Sequence, residues 1–294
     1  MRDRSAYTRR MFDTLVETEV LAAHLGDPAW VVFDCRSVLT DSGAGERAYA
    51  AGHIPGARYL HLERDLSGPV TPATGRHPLP EPELLAEKLG RAGVGRTTQV
   101  IAYDDAGGAY AARLWWLLRW LGHRESAVLN GGWQQWLKED RRTETGLPDV
   151  KAQPFPYRAP SHDEWLSTED VLEQVRGRRP GLLVDARAPT RFRGDEEPID
   201  PVAGHVPGAV NLPFTVNLAK DGRFSAPATL RHRFETALGD VPPEQAVFMC
   251  GSGVTACHNL LAMELAGMKH AKLYAGSWSE WIRDRARPVS RGEA

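Results

Sequence analysis

The sequence predicts an α/β protein of two similar domains, each a mostly parallel sheet with helices on both faces. Length is the first reason: 294 residues exceed one comfortable core, and two units of about 150 residues each are expected. An internal repeat is the second. Val32-Phe33-Asp34-Cys35-Arg36 recurs as Leu183-Val184-Asp185-Ala186-Arg187, and Ala51-Gly52-His53-Ile54-Pro55-Gly56-Ala57 as Ala203-Gly204-His205-Val206-Pro207-Gly208-Ala209. Gly131-Gly132-Trp133-Gln134-Gln135-Trp136 recurs as Gly276-Ser277-Trp278-Ser279-Glu280-Trp281. The shifts are 151, 152 and 145 residues (32 to 183, 51 to 203, 131 to 276), so three matches share one order and nearly one offset. The third reason is alternation. Short apolar runs rich in β-branched residues alternate with amphipathic stretches, as helices crossing over a parallel sheet require.

In the first half, strands are expected at 30–34, 57–60, 99–103 and 126–129, and helices at 81–92, 109–121 and 132–138. The strand runs are near-continuously apolar, as strands covered on both faces are. Trp133 and Trp136 stand at helical i, i+3 spacing and read as core packing. In the second half the strands are placed near 181–185, 209–212, 245–249 and 271–274. Its helices are placed near 168–176, 228–238, 255–266 and 278–284, with Trp278 and Trp281 repeating the tryptophan pair. Pro148, Pro154, Pro156 and Pro160 mark a stiff, extended connection. The domains are therefore expected at 1–145 and 163–294, joined by a linker at 146–162.

Composition narrows the function classes. Hydrophobic residues at 42%, charged residues at 25% and a net charge of −2 describe an ordinary globular chain with no call for nucleic acid or an acidic membrane. No apolar run approaches the ~18 residues of a membrane span. The first twelve residues are basic but lack an apolar stretch, so a secretory signal is not expected and the cytoplasm is the expected compartment. The three cysteines, Cys35, Cys250 and Cys257, form no CxxC and no Cys/His cluster. No disulfide framework, metal, nucleotide or flavin is implied. Cys35 and Cys257 read as small buried hydrophobes.

Cys250 reads differently. It follows the apolar run 246–249, precedes the loop Gly251-Ser252-Gly253-Val254-Thr255, and faces a helix beginning near residue 255. Unpaired amides and the helix dipole favour an anion there, which lowers a thiol pKa and activates the sulfur. The repeat sharpens this. The matching stretch in the first half, Val100 to Gly108, has no thiol, so shared features read as scaffold and unshared ones as chemistry. Asp34/Arg36, Asp185/Arg187, His53 and His205 are shared. Cys250 and Arg191 are not, and an arginine suits a carboxylate or oxyanion.

With its tandem repeat, the loop Cys250-Gly251-Ser252-Gly253-Val254-Thr255-Ala256 resembles that of the two-domain rhodanese-type sulfurtransferases, in particular the 3-mercaptopyruvate branch. The resemblance covers the whole chain and implies rhodanese-like domains, the first inactive and the second catalytic. It implies that Cys250 takes sulfur from a small anionic donor as a persulfide and passes it to cyanide, a thiol or a thioredoxin-like acceptor. Amides from Gly251 to Thr255 would hold that sulfur, joined by the Ser252 and Thr255 hydroxyls, unless Thr255 caps the helix instead. Arg191 matches the arginine that holds the donor's anion. The second arginine of animal mercaptopyruvate enzymes is replaced by Asp200, whereas the cationic residues of the thiosulfate branch are replaced by Gly251 and Ser252. Ser252 with His53 matches part of a serine–histidine–aspartate arrangement, with Asp41 as its third member, and Tyr110 matches an aromatic on the first-domain wall. Two other classes remain. A cysteine phosphatase needs Cys-x5-Arg, but residue 256 is Ala. A non-enzymatic binding module or sulfur carrier has no need of an activated Cys250.

Overall fold

The computed structural model describes residues 11–293; residues 1–10, most of the basic N-terminal stretch, lie outside the described part. In the first half the strands are β1 (Leu15–Val16), β2 (Trp30–Asp34), β3 (Arg58–Tyr59), β4 (Gln99–Tyr103) and β5 (Ser126–Leu129). Its helices are α1 (Thr18–Ala23), α2 (Ala44–Ala51), α3 (Pro82–Arg91), α4 (Ala111–Trp120) and α5 (Gly132–Lys138). The second half follows with β6 (Trp165–Leu166), β7 (Leu182–Asp185), β8 (Val210–Asn211), β9 (Ala246–Met249) and β10 (Lys272–Tyr274). Its helices are α6 (Thr168–Val175), α7 (Pro189–Arg193), α8 (Pro227–Leu238), α9 (Ala256–Leu265) and α10 (Ser277–Trp281).

Each half forms one five-stranded sheet, ordered β1-β5-β4-β2-β3 and β6-β10-β9-β7-β8. Every strand pair is parallel. All residues of β2, β4 and β9 are buried, which is why these strands read as unbroken apolar runs. The shared Asp/Arg pairs have the same task in both halves. Arg36 binds the Asp34 carboxylate and reaches Gly52 O at 2.7 Å; Arg187 binds Asp185 and reaches Gly204 O at 2.8 Å. Each guanidinium lies over a repeated tryptophan, Trp133 at 4.6 Å and Trp278 at 4.8 Å.

The connection between the halves is strapped down. Gln153 N donates to Gly90 O and Arg158 N to Leu121 O, both at 2.9 Å, and Phe155 is buried beside His123. One apolar cluster runs through both halves, joining Leu114, Trp115 and Leu118 of α4 to Leu260, Leu261 and Met263 of α9. The two sheets are thus backed by a common core, and the loops before α4 and α9 meet beside it.

Candidate active site

Cys250 stands directly after β9, and the loop around it is clamped from the β10–α10 corner. Cys250 N donates to Ser277 Oγ at 3.1 Å, Trp278 N to Cys250 O at 3.0 Å, and Ser279 N to Gly251 O at 2.9 Å. The sulfur receives amides from within the loop, Gly253 N at 3.2 Å and Ser252 N at 3.5 Å. Gly253 makes this fold possible. Its φ is +77°, and a Cβ there would lie 2.3 Å from Ala275 O.

The first half shows what such a loop does with an anion. Asp104 occupies the place of Cys250: Trp133 N donates to Asp104 O at 2.8 Å, as Trp278 N does to Cys250 O. Its carboxylate collects four amides, Ala106 and Gly108 on Oδ1 and Tyr110 and Ala111 on Oδ2, each at 2.8 Å. Burial pushes the Asp104 carboxyl up, and those four bonds pull it back. In this architecture the turn from strand to helix is therefore an anion cradle, filled by a resident side chain in one copy and by a thiol in the other.

The first half also reaches across. Gly75 N donates to Glu280 Oε2 at 3.2 Å and Arg76 N to Ser279 Oγ at 3.0 Å. His77 Nδ1 and Ser252 Oγ share a buried hydrogen bond of 2.7 Å. Burial, followed by the Arg113 and Arg76 charges, drives the His77 pKa down to about 3, so the ring is neutral at ordinary pH. Arg113, from α4 and fully buried, donates to Gly253 O at 3.2 Å and to His77 O at 3.2 Å. It sets a charge under the thiol loop; burial weakens its hold on the proton without discharging a guanidinium. The contacts are reciprocated: His258 Nε2 donates to Gly107 O at 3.0 Å, and Phe224 N to Asn130 Oδ1 at 2.9 Å.

The expected site residues divide. Gly251, Ser252, Gly253 and Val254 surround Cys250, and both Arg191 terminal nitrogens lie 3.6 Å from a Cβ built on Gly251. Arg191 is held by Glu197 at 2.7 Å and Asp200 at 3.2 Å. Thr255 precedes α9 without a side-chain cap bond, and of the loop amides Ser252 and Gly253 reach the sulfur. Tyr110 precedes α4, is half-buried against the shared core, and has its phenol pushed up to about 12 by burial.

The expected pairing of Ser252 with His53 is corrected: the partner is His77. His53 Nδ1 donates to Tyr49 O at 2.8 Å and its ring stacks on Tyr49, so it secures its own turn. Its equivalent, His205, secures Phe192 O at 2.8 Å. Asp41 ion-pairs with exposed Arg47 at 2.5 Å and is no third member of the set. Cys35 and Cys257 are buried, with thiols pushed up by burial, that of Cys257 to about 12.

Sequence reasoning missed Arg76, His77 and Arg113. A signal existed for His77. Gly75-Arg76-His77 precedes α3 as Gly222-Arg223-Phe224 precedes α8, so the same subtraction that isolated Cys250 isolates this histidine. Arg113 was visible as a charge inside the apolar run of α4, where every neighbour from Ala111 to Leu118 is buried.

The rhodanese-like domain model matches residues 17–139 and again 167–284. The chain belongs to the rhodanese-like family, as a tandem pair of its domains. It is an enzyme of the sulfurtransferase class: it is 49% identical to a probable 3-mercaptopyruvate sulfurtransferase of Pseudomonas aeruginosa, over 95% of this chain and 98% of that one. It is also 38% identical to a putative thiosulfate sulfurtransferase of Mycobacterium tuberculosis, over 92% and 93%. Among solved structures, the 3-mercaptopyruvate sulfurtransferase from Leishmania major superposes with a TM-score of 0.80 at 31% identity, over 92% of this chain and 74% of that one.

Proposed function

We propose that Cys250 carries sulfur as a persulfide, accepting it from 3-mercaptopyruvate in preference to thiosulfate and passing it to a thiol, a thioredoxin-like protein or cyanide. The observation that carries this reading is the Cys250 sulfur set at the focus of the Ser252 and Gly253 amides. The twin loop, with a carboxylate on four amides, supports an anionic occupant in the same geometry.

In the first step the thiolate attacks the donor's sulfur, an S–S bond forms, and the C–S bond breaks. The electron pair leaves on carbon as the enolate of pyruvate, which needs a proton. The Ser252–His77 couple favours this donor: the Ser252 hydroxyl, oriented beside the sulfur by the neutral His77 ring, can relay the proton released on forming the thiolate to the enolate, with the ring itself staying neutral throughout. Thiosulfate makes no such demand, because sulfite leaves as an anion. In the second step the acceptor nucleophile attacks the outer sulfur, and Cys250 thiolate departs. Arg191 beside Gly251 suits the donor's carboxylate.

Catalysis is assigned to the unit at 163–294, with 1–145 as its catalytically silent partner and 146–162 as the connection. Among the described residues no helix is long and apolar enough to cross a membrane. Three free thiols suit the reducing cytoplasm. The test is incubation with each donor, followed by mass spectrometry of the Cys250 peptide and by kcat/KM for both donors. A gain of about 32 Da and a higher kcat/KM for 3-mercaptopyruvate are expected. An alkylatable Cys250 that gains no sulfur from either donor would refute the reading.

A further inference from the structure

We propose that Arg76, lent by the first domain, is the second cation of the donor-anion site and, with Arg191, selects a monocarboxylate donor; this rests on the sulfur-transfer reading above.

Asp200 stands where the resemblance implies a second arginine, and the structure supplies a guanidinium from elsewhere. One oxygen of Asp200, Oδ1, binds Arg76 Nη1, and the other, Oδ2, binds Arg191 Nη2 at 3.2 Å. Asp200 is thus a bridge that holds two arginines from different domains side by side. Arg191 is fixed further by Glu197, which takes Nε at 3.0 Å and Nη2 at 2.7 Å. Arg76 is fixed through its main chain by Ser279 Oγ.

What these bonds leave over is directional. Among the bonds of the described residues, Arg191 Nη1 and Arg76 Nη2 are not used to hold the bridge. A methyl group built on Gly251 would lie 2.8 Å from Arg76 Nη2 and 3.6 Å from Arg191 Nη1. Both nitrogens therefore converge over the residue next to the nucleophile, where a fork of N–H groups suits a planar carboxylate. Gly251 lacks the side chain that would fill this space.

Charge explains the preference. Arg76, Arg187 and Arg191 face Asp185, Glu197 and Asp200, and this ion-pair network is balanced before a donor arrives. A balanced site offers hydrogen bonds without a large excess of positive charge. It suits the single carboxylate of an α-keto thiol better than dianionic thiosulfate, because the remaining cation, Arg113, lies under the thiol loop with the Cys250 thiolate to balance.

The test compares Arg76→Gln, Arg76→Lys and Asp200→Asn with the parent enzyme. It uses steady-state kinetics on both donors and, independently, the ratio of Cys250 alkylation rates by anionic iodoacetate and neutral iodoacetamide. Losing a charge-assisted bond to the donor predicts a KM for 3-mercaptopyruvate about 10- to 100-fold higher in Arg76→Gln, with kcat falling less than KM rises. The iodoacetate-to-iodoacetamide ratio should fall in Arg76→Gln, fall less in Arg76→Lys, and rise in Asp200→Asn, where the bridging charge is removed. Unchanged KM and unchanged ratio in a folded Arg76→Gln enzyme overturn the proposal; if that variant does not fold, a ratio that fails to rise in Asp200→Asn does so. If the parent enzyme takes sulfur from neither donor, the sulfur-transfer reading fails, and the alkylation ratios still decide whether Arg76 faces the anion.

Discussion

His77 should make the enzyme lose stability in mild acid, and replacing it with glutamine should remove a measurable part of that loss. The ring is 4% exposed, and its pKa is lowered to about 3, by burial first and then by Arg113 and Arg76. An unfolded histidine titrates near 6.5. Between those values the unfolded chain binds a proton that the folded one refuses, so stability rises with pH across the window and is lost as pH falls below about 6.5. Linkage gives a loss of about 2 kcal/mol between pH 7 and pH 5 from this group alone. His258, also buried and lowered to about 4, adds a similar loss that persists in the variant and serves as an internal reference. Urea unfolding of the parent and of His77→Gln, each at pH 7 and pH 5, isolates the difference. The parent should lose about 2 kcal/mol more than the variant on acidification. Equal losses would show that the ring titrates normally in the fold, and the assignment of a neutral His77 at the Ser252 hydroxyl would be wrong.

Three other outcomes are expected. Cys250→Ser should abolish sulfur uptake in the mass assay while leaving the urea midpoint near that of the parent, since the hydroxyl is nearly isosteric. Gly253→Ala should cost about 2–4 kcal/mol and most of the turnover, because a Cβ at φ +77° meets Ala275 O; stability and kcat on one preparation check both. Asp104→Asn sets an NH2 against amides that all donate, so about 2–4 kcal/mol should be lost in urea unfolding with Cys250 still open to alkylation.

Much of the fold was legible because duplication turned one sequence into its own comparison. The longer strands β2, β4, β5 and β9 were read to within a residue, since they are buried runs with a clear beginning and end. The edge strands β1 and β6 were missed: each is two residues long, too short for a period to emerge, and neither adjoins a repeated motif as the equally short β3 and β8 do after the Pro-Gly-Ala turns. Helices α1, α2 and α7, of six, eight and five residues, escaped, whereas the comparably short α5 and α10 were marked by the repeated tryptophan pair. At the site, Cys250 and its loop were local in sequence and therefore readable. The partner of Ser252 was not: His77 lies 175 residues away and meets it only through the packing of one half on the other. His53 came from the family resemblance, whereas its recurrence as His205 already marked it as scaffold. The same holds for Arg76, whose neighbourhood of prolines and glycines signals a loop and nothing about what the loop touches.

The Asp104 carboxylate, locked onto four amides, closes the first-half cradle to any other anion. A vacancy in the N-terminal copy could have soaked up donor or leaving group and blurred every titration. With that berth taken by the chain's own side chain, the sulfur transfer proposed for Cys250 predicts one equivalent loaded per polypeptide, and the end point of a single-turnover experiment would then count competent molecules directly.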